Sequence, residues 1–406
     1  MNVMIIQPWI RVGGAECVSV QLAHELSRCG HRAPVVALFS ELGGSPLETM
    51  EVEYILAPRR LGELCSRSRI FFVLFGSLLL LYLAFRHSYG MDVLNPHNFP
   101  SCWIAVLVGT LRRIPVVWTC NEPPSRIPLK DALRVGIADT LGWFVASSPI
   151  DRFAVRRVSA IHVLSEKTRL EVLERYSRDS RVIGAGVDFD FFSGGSAAEA
   201  KARYELAGKY VILTVGKLHP QKNQVLCLEV LRHLTTDVPN ALLLLVGEGP
   251  MRHKLQSLAA TMGLSSRVRL LGRVSSWDLR NLYAACDIVL FPAINQSWGL
   301  IPFEALCAKR LSVVSSECGA AEILRRESIG LVASPTPEEF GACVSMIRKD
   351  RETCRGMANK GFRYVAQNLN HHVIAASFLG FVKEVVEQHR SRSVEKSAHS
   401  GHRGGS

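Results

Sequence analysis

The sequence predicts an α/β chain built from two doubly wound, parallel-sheet domains. Three observations predict it. The 406 residues are enough for two domains of about 150–200 residues each. In each half, short apolar runs alternate with amphipathic stretches, the order expected of repeating strand and helix. The runs are apolar throughout rather than alternating with polar residues, which marks strands covered on both faces. A content of 48% hydrophobic and 21% charged residues fits a folded protein with real cores and excludes a disordered one.

In the first half the strand-like runs fall at 3–7, 33–39, 91–96, 115–119 and 160–164, with a Gly-Gly turn and a helix near 17–29 after the first. In the second half they fall at 210–215, 241–246, 268–271, 288–291 and 311–314. Between the halves, residues 191–207 (FFSGGSAAEAKARYELA) break the pattern with glycine and small polar residues. The expected organisation is an N-terminal domain over 1–195 and a C-terminal domain over 206–365. A helix over 366–388 packs back on the first domain, and the polar tail 389–406 has too little apolar surface to fold. No internal repeat is evident.

Residues 70–85 (IFFVLFGSLLLLYLAF) are sixteen uncharged residues with Arg67 and Arg69 before them and Arg86 after. As a helix they extend roughly 24 Å, short of a hydrocarbon core of about 30 Å. Strand-like runs on both sides must share one sheet, which a true span would divide. The segment is therefore read as a helix of the first domain dipping into the membrane interface, with a buried core helix as the alternative.

The net charge of +12 is uneven: +2 over 1–200, +8 over 201–382 and +2 over 383–406. An anionic ligand is favoured in the second half. Eleven cysteines, none with C-x-x-C spacing, argue against a zinc ribbon or a thioredoxin motif and suit a reducing cytosol. Residues 1–8 read as a buried strand rather than a secretory signal.

Four constellations carry the chemistry. Gly13-Gly14-Ala15-Glu16 follows the first strand and opens the first helix, where glycines permit close backbone approach and a helix N-terminus offers N–H groups to phosphate. It lacks the G-x-G-x-x-G spacing of a dinucleotide fold. The run 215–223 (VGKLHPQKN) places Lys217 and Lys222 after the first strand of the second domain, positions from which they converge on a diphosphate. A solvated charge pair is the alternative. The run 291–305 (FPAINQSWGLIPFEA) is the most specific signal: a strand ends, a loop passes Gly299, and a helix begins near Ile301 with Pro302 in its first turn. Glu304 then lies on that turn, able to accept hydrogen bonds from paired hydroxyls. His97 stands after the strand 91–96, at the carboxyl end where open α/β sheets bind ligands.

Taken in order, these motifs resemble the family 4 glycosyltransferases, retaining enzymes of the GT-B fold with two Rossmann-like domains facing a central cleft. The resemblance runs from GGAE (13–16) through DVLNPH (92–97), GVDFDFF (186–192), VGKLHPQKN and LLVGEGP (244–250) to LGRVSSWDL (271–279) and SWGLIPFEAL. It implies that Gly13 and Gly14 face the donor diphosphate and that Lys217, in place of the family's usual Arg, and Lys222 bind the phosphates. The backbone at Arg273 and Val274 reads the base, and Glu304, second glutamate of an E-x7-E motif, holds the ribose hydroxyls. The N–H groups of Gly299, Leu300 and Ile301 touch sugar and phosphate, and His97 contacts the sugar. Two departures stand out. The motif's first glutamate is Gln296, and Asn121-Glu122 stands near the family's later His-Asp, on the acceptor side.

The implied reaction is transfer of a hexose, of mannose or glucose type, from a GDP- or UDP-linked sugar to a lipid-linked glycan or polysaccharide precursor. GDP-mannose is the first expected donor. The resemblance implies mannosyltransferase-like chemistry without cofactor or metal, at the inner face of the cytoplasmic membrane and with no nucleic acid. Gln296 leaves open a non-catalytic nucleotide-sugar-binding subunit. A GT-B epimerase is disfavoured because the position where it needs a carboxylate is an amide.

Overall fold

The first apolar run forms β1 (Val3–Ile6), all four residues buried, at the centre of a parallel sheet. Residues 1–11, 14–42, 46–67, 71–123 and 149–401 are described in the computed structural model. Two units divide the chain: Met1–Gly184 with Ile374–Ser406 as unit 1, and Ala185–Val373 as unit 2.

In unit 1 a short pair, β2 (Ile10–Arg11) with β4 (Ser40–Glu41), lies outside the main sheet. The sheet itself contains β3 (Val35–Ala37), β5 (Tyr54–Leu56), β6 (Val93–Pro96), β7 (Val117–Cys120), β8 (Ala160–Val163) and β9 (Arg181–Val182) beside β1. Bridges Leu94–Val116 and His97–Thr119 join β6 to β7, so the order is β5-β3-β1-β6-β7-β8-β9, all parallel. Successive residues of β1 serve opposite faces. Val3 and Ile5 pack with Val20 and Leu26 and with Phe378, Val382 and Val385 of the last helix. Met4 and Ile6 pack with Leu80, Ala84, Ile104 and Val108 on the other side. This double burial explains why the strands read as unbroken apolar runs.

Unit 2 repeats the plan with β10 (Tyr210–Val215), β11 (Ala241–Val246), β12 (Val268–Gly272), β13 (Ile288–Phe291), β14 (Ser312–Ser315) and β15 (Leu331–Ala333). The order is β12-β11-β10-β13-β14-β15, all parallel. In both sheets the chain starts at the centre, builds to one edge, then returns to build the other. This leaves a switch point between β1 and β6 and another between β10 and β13. Local chemistry starts the helices where expected: Ser275 accepts from the Asp278 N–H at 3.1 Å, and Thr336 caps a helix with Pro337 in its first turn.

One segment differs from expectation. The final helix, His371–Gly401, continues through residues whose composition predicts no folded structure. Extending an existing helix costs far less than nucleating one, and Arg390 is tied to Asp92 at 2.9 Å. The apolar segment, described from Phe71 onward, is helical and two-faced. Leu80, Leu83 and Ala84 are buried in unit 1, whereas Phe75, Leu78, Tyr82 and Phe85 form an exposed stripe at spacings of three and four residues. Among the described residues no helix is long and apolar enough to cross a membrane.

Candidate functional site

At the switch point of unit 2, two loops leave neighbouring strand ends. The first leaves β10 through Gly216, whose φ of +133° no side-chain-bearing residue adopts readily. A Cβ on Gly247, at the end of adjacent β11, would lie 2.1 Å from the Gly216 carbonyl oxygen, so only glycine permits these two strand ends to approach. The loop then presents Lys217, exposed, and Lys222, half-buried. Gln224 holds the turn by donating its Nε2–H to the Lys217 carbonyl at 2.9 Å.

The second loop leaves β13 and ends in the helix Ile301–Cys307. The Ile294 N–H donates to the Gln221 carbonyl at 2.9 Å, which binds the two loops together. Side chains complete the junction, because Lys222 Nζ donates to Gln296 Oε1. Gly299 has φ of +141°, and a Cβ there would press within 2.8 Å of the Phe291 ring. Ile301 opens the helix, so its N–H has no carbonyl four residues back; Pro302 carries no N–H, and the N–H groups of Phe303 and Glu304 both donate to the Leu300 carbonyl at 2.9 Å. Glu304 sits one turn in. Its Oε2 accepts the Tyr283 hydroxyl at 2.6 Å, and burial pushes its carboxyl up to about 7 against that bond. Tyr283 is fully buried and its hydroxyl is held well above the ordinary tyrosine range by burial and by Glu304, so it stays a donor. Arg273 and Val274 follow β12, two strands from β10, on the same carboxyl edge.

Unit 1 gathers polar side chains at the carboxyl ends of its own central strands. His97 is completely buried, and Asn95 Oδ1 accepts from its Nε2 at 2.8 Å. Asn95 Nδ2 donates to the Val117 carbonyl at 2.6 Å and to Thr119 Oγ1 at 2.8 Å. Thr119 Oγ1 lies 3.1 Å from His162 Nδ1, and His162 Nε2 lies 2.8 Å from the Ile183 carbonyl. Two backbone carbonyls, which can only accept, fix every donor in this chain. Val117 selects the Asn95 amide nitrogen, and Ile183 selects the proton on His162 Nε2. His97 therefore carries its proton on Nε2 and leaves Nδ1 as a bare acceptor. Nδ1 is buried with no partner among the described residues, as are the neighbouring Gln7 Nε2 and Asn121 Oδ1. Burial lowers His97 to about 3, with His162 adding to the effect, and lowers His162 to about 4. Both rings are neutral.

Comparison with known families settles what carries these two sites. A family pattern described as "Glycosyltransferase Family 4" matches residues 12–191, and one described as "Glycosyl transferases group 1" matches 197–364. The chain belongs to the family 4 glycosyltransferases. A D-inositol 3-phosphate glycosyltransferase of Saccharomonospora viridis is 25% identical over 366 residues, 83% of this chain and 79% of that protein. A GDP-mannose-dependent alpha-(1-6)-phosphatidylinositol monomannoside mannosyltransferase of Mycobacterium tuberculosis is 25% identical over 66% of this chain and 76% of its own. The GT-B architecture matches that of an Anabaena protein, HepE, in complex with UDP-glucose. The TM-score is 0.76 at 18% identity, covering 95% of this chain and 100% of that one.

In this glycosyltransferase Lys217, Lys222, Gln296, Gly299, Leu300, Ile301 and Glu304 all lie at the carboxyl edge of unit 2 beside the β10/β13 switch point. His97 and Asn121 lie at the corresponding edge of unit 1, with Asn121 Nδ2 donating to Asn98 Oδ1 at 3.3 Å and Glu122 beside it. Gly13 lies outside the described residues, and Gly14 opens the first helix. Sequence reasoning missed Tyr283 and the chain Asn95–Thr119–His162. Tyr283 belongs to no motif, and its pairing with Glu304 joins two helices. Asn95 lay inside the DVLNPH run, where an asparagine in an otherwise apolar strand was the available signal.

Proposed function

We propose that this glycosyltransferase moves a hexose from a nucleotide diphosphate sugar to a lipid-linked glycan or polysaccharide precursor, with retention at the anomeric carbon. The observation that carries this reading is the junction of the Lys217–Lys222 loop with the Gln296–Glu304 segment at the β10/β13 switch point. Open α/β sheets bind nucleotides at such crevices. The vicinal diol of a ribose donates to the Glu304 carboxylate, while Lys217, Lys222 and the N–H groups of Gly299, Leu300 and Ile301 meet the diphosphate and sugar. The backbone at Arg273 and Val274 lies against the base. His97 offers its bare Nδ1 to a sugar hydroxyl.

In the transfer, the bond from the anomeric carbon to the diphosphate oxygen breaks and the bond to the acceptor oxygen forms on the same face. The departing phosphate oxygen takes the acceptor hydroxyl's proton. The lysines offset the negative charge that develops on the leaving group, the part a divalent ion plays in other transferases. Gln296 orients the sugar by hydrogen bonding, and Asn121 and Glu122 lie on the acceptor side. GDP-mannose is the first donor to test, with UDP-hexoses next. The exposed stripe of Phe75, Leu78, Tyr82 and Phe85 supports a membrane-borne acceptor at the cytoplasmic face.

The test is thermal unfolding in EDTA with GDP-mannose, UDP-glucose, UDP-N-acetylglucosamine and ADP-glucose in turn. A donor at 100 times its dissociation constant adds about 2.7 kcal/mol of stability. Stabilisation by one donor, abolished in Lys222→Ala, names the base and supports a metal-independent site. No shift with any of them overturns it. Gln296 favours one second reading, a nucleotide-sugar-binding subunit without turnover of its own. Product formation by the purified chain eliminates that reading.

A further inference from the structure

A cavity of about 380 Å³ opens at the amino edge of the unit 1 sheet, where the chain enters β6 and β7 and the last helix passes. Its lining includes Tyr89, Asp92, Arg112, Arg113, His389 and Arg390. The nucleotide and sugar residues described above all follow the carboxyl ends of strands, so this cavity is no part of that site.

Its electrostatics are one-sided. Asp92 is already engaged through both oxygens: Oδ1 accepts from Arg390 at 2.9 Å, and Oδ2 accepts from the Asn2 N–H at 2.9 Å. Arg112 and Arg113 add positive charge that no carboxylate of the lining offsets. From residue 71 to residue 113, Asp92 is the one acidic residue, against Arg86, Arg112 and Arg113. Arg113 holds a left-handed φ of +58° as the C-cap of the helix Ser101–Arg112, and His389 Nε2 lies 3.3 Å from its carbonyl.

The cavity is also continuous with apolar surface. The Arg112 guanidinium lies 4.1 Å from the centre of the Phe85 ring, and Phe85 ends the exposed stripe on the helix Ser77–His87. That helix packs against Ser101–Arg112, which exposes Leu107 and Leu111. Leu78 and Leu111 are 62% and 63% exposed, and Tyr89 at the cavity mouth is 84% exposed. Apolar side chains, interfacial tyrosines and arginines thus share one side of unit 1, a composition that fits a bilayer surface rather than a protein partner. Arginine suits a phosphodiester because its planar fork donates two parallel hydrogen bonds.

We propose that this arginine-lined cavity binds the headgroup phosphate of an anionic phospholipid while the stripe over 75–85 lies in the bilayer interface. The proposal rests on the membrane reading of that stripe and adds a specific lipid-phosphate site to it.

The test is co-sedimentation of the full chain with vesicles of phosphatidylcholine alone or with added phosphatidylglycerol, at low and high salt. Wild type is expected to prefer the anionic vesicles, and salt is expected to weaken the preference. Each arginine near an anionic surface contributes roughly fivefold, so Arg112→Gln with Arg113→Gln should cut that preference about twenty-fivefold. Binding to neutral vesicles and nucleotide affinity should not change. Leu78→Ser with Tyr82→Ser should weaken binding to both vesicle types. An anionic preference that survives the double arginine substitution overturns the cavity site and leaves the membrane reading standing. Wild type that binds no vesicle overturns both, whatever the donor titration shows. Saturation of the cavity by soluble glycerol phosphate without vesicle binding overturns the lipid assignment.

Discussion

Tyr283 donates its hydroxyl to Glu304 at 2.6 Å, and the two residues come from helices that pack together on the unit 2 sheet. Burial and this pairing together set the ionisation of the residue proposed to hold the ribose. Burial raises the Glu304 carboxyl to about 7, and the Tyr283 hydroxyl partly opposes the rise. A ribose diol donates most strongly to the ionised form, whose oxygens are charged acceptors.

Nucleotide affinity should therefore follow the ionised fraction of Glu304. Affinity should be flat above pH 8 and fall about tenfold per pH unit below 7, with a proton released on binding. Stability of the unliganded protein should move the opposite way. The folded value lies above the ordinary carboxyl value of 4.5, so this group's contribution is fully present below 4.5 and is lost as pH rises through about 7. Titration calorimetry at several pH values, in wild type and in Glu304→Gln, checks both statements. Glu304→Gln should bind about 10–100-fold more weakly and lose the pH dependence, because it gives up charge-assisted hydrogen bonds.

Tyr283→Phe removes the hydroxyl and leaves the surrounding shape intact. The Glu304 carboxyl loses its donor and should titrate higher, shifting the midpoint of nucleotide binding to higher pH. Loss of a buried hydrogen bond to a charged group should lower stability by about 1.5–3 kcal/mol. An unshifted midpoint would show that the pair does not set the ionisation of Glu304.

The sequence carries the strands of both sheets because each strand is buried on both faces and so is apolar along its length. It carries the Lys217–Lys222 and Gln296–Glu304 segments because turns, glycines and helix starts are local. Tyr283 and Thr119 were not legible for the opposite reason. Their partners, Glu304 and His162, lie 21 and 43 residues away, and nothing in either local pattern points to the other. The last helix was underestimated because composition measures the ability of a segment to fold alone, whereas residues after 389 extend a helix already docked through Phe378 and Val382.

The buried chain in unit 1 predicts a fixed tautomer. Nitrogen NMR should find His97 and His162 neutral at pH 6, each with its proton on Nε2. Because both folded values lie below 6.5, their contribution to stability is present above pH 6.5 and is lost as pH falls toward about 4 and then 3. Thr119→Val should leave His162 Nδ1 unpaired and destabilise unit 1 by about 1–3 kcal/mol, seen as faster hydrogen exchange in β7 and β8. Nucleotide affinity should not change, because Lys217, Lys222 and Glu304 belong to unit 2 and Thr119 is none of the proposed donor contacts. A protonated His97 at pH 6 would contradict the assignment.

Gln296 decides how much of the Lys222 charge a diphosphate meets. Lys222 Nζ donates to Gln296 Oε1, a neutral acceptor that positions the ammonium without offsetting its charge. A glutamate there turns the contact into an ion pair, and an incoming diphosphate then competes with a carboxylate for the same ammonium. Gln296→Glu should therefore weaken binding of the free nucleoside diphosphate about three- to tenfold, near 1 kcal/mol, and increasing salt should reduce the difference. Turnover reports the second role of the position. If the residue only orients the sugar, the glutamate still accepts a hydroxyl and turnover at saturating donor should stay within a few-fold of wild type. A turnover gain of a hundredfold or more would show that a negative charge near the anomeric carbon is what the natural amide withholds. Unchanged diphosphate affinity in both Gln296→Glu and Lys222→Ala would remove Lys222 from the phosphate site altogether.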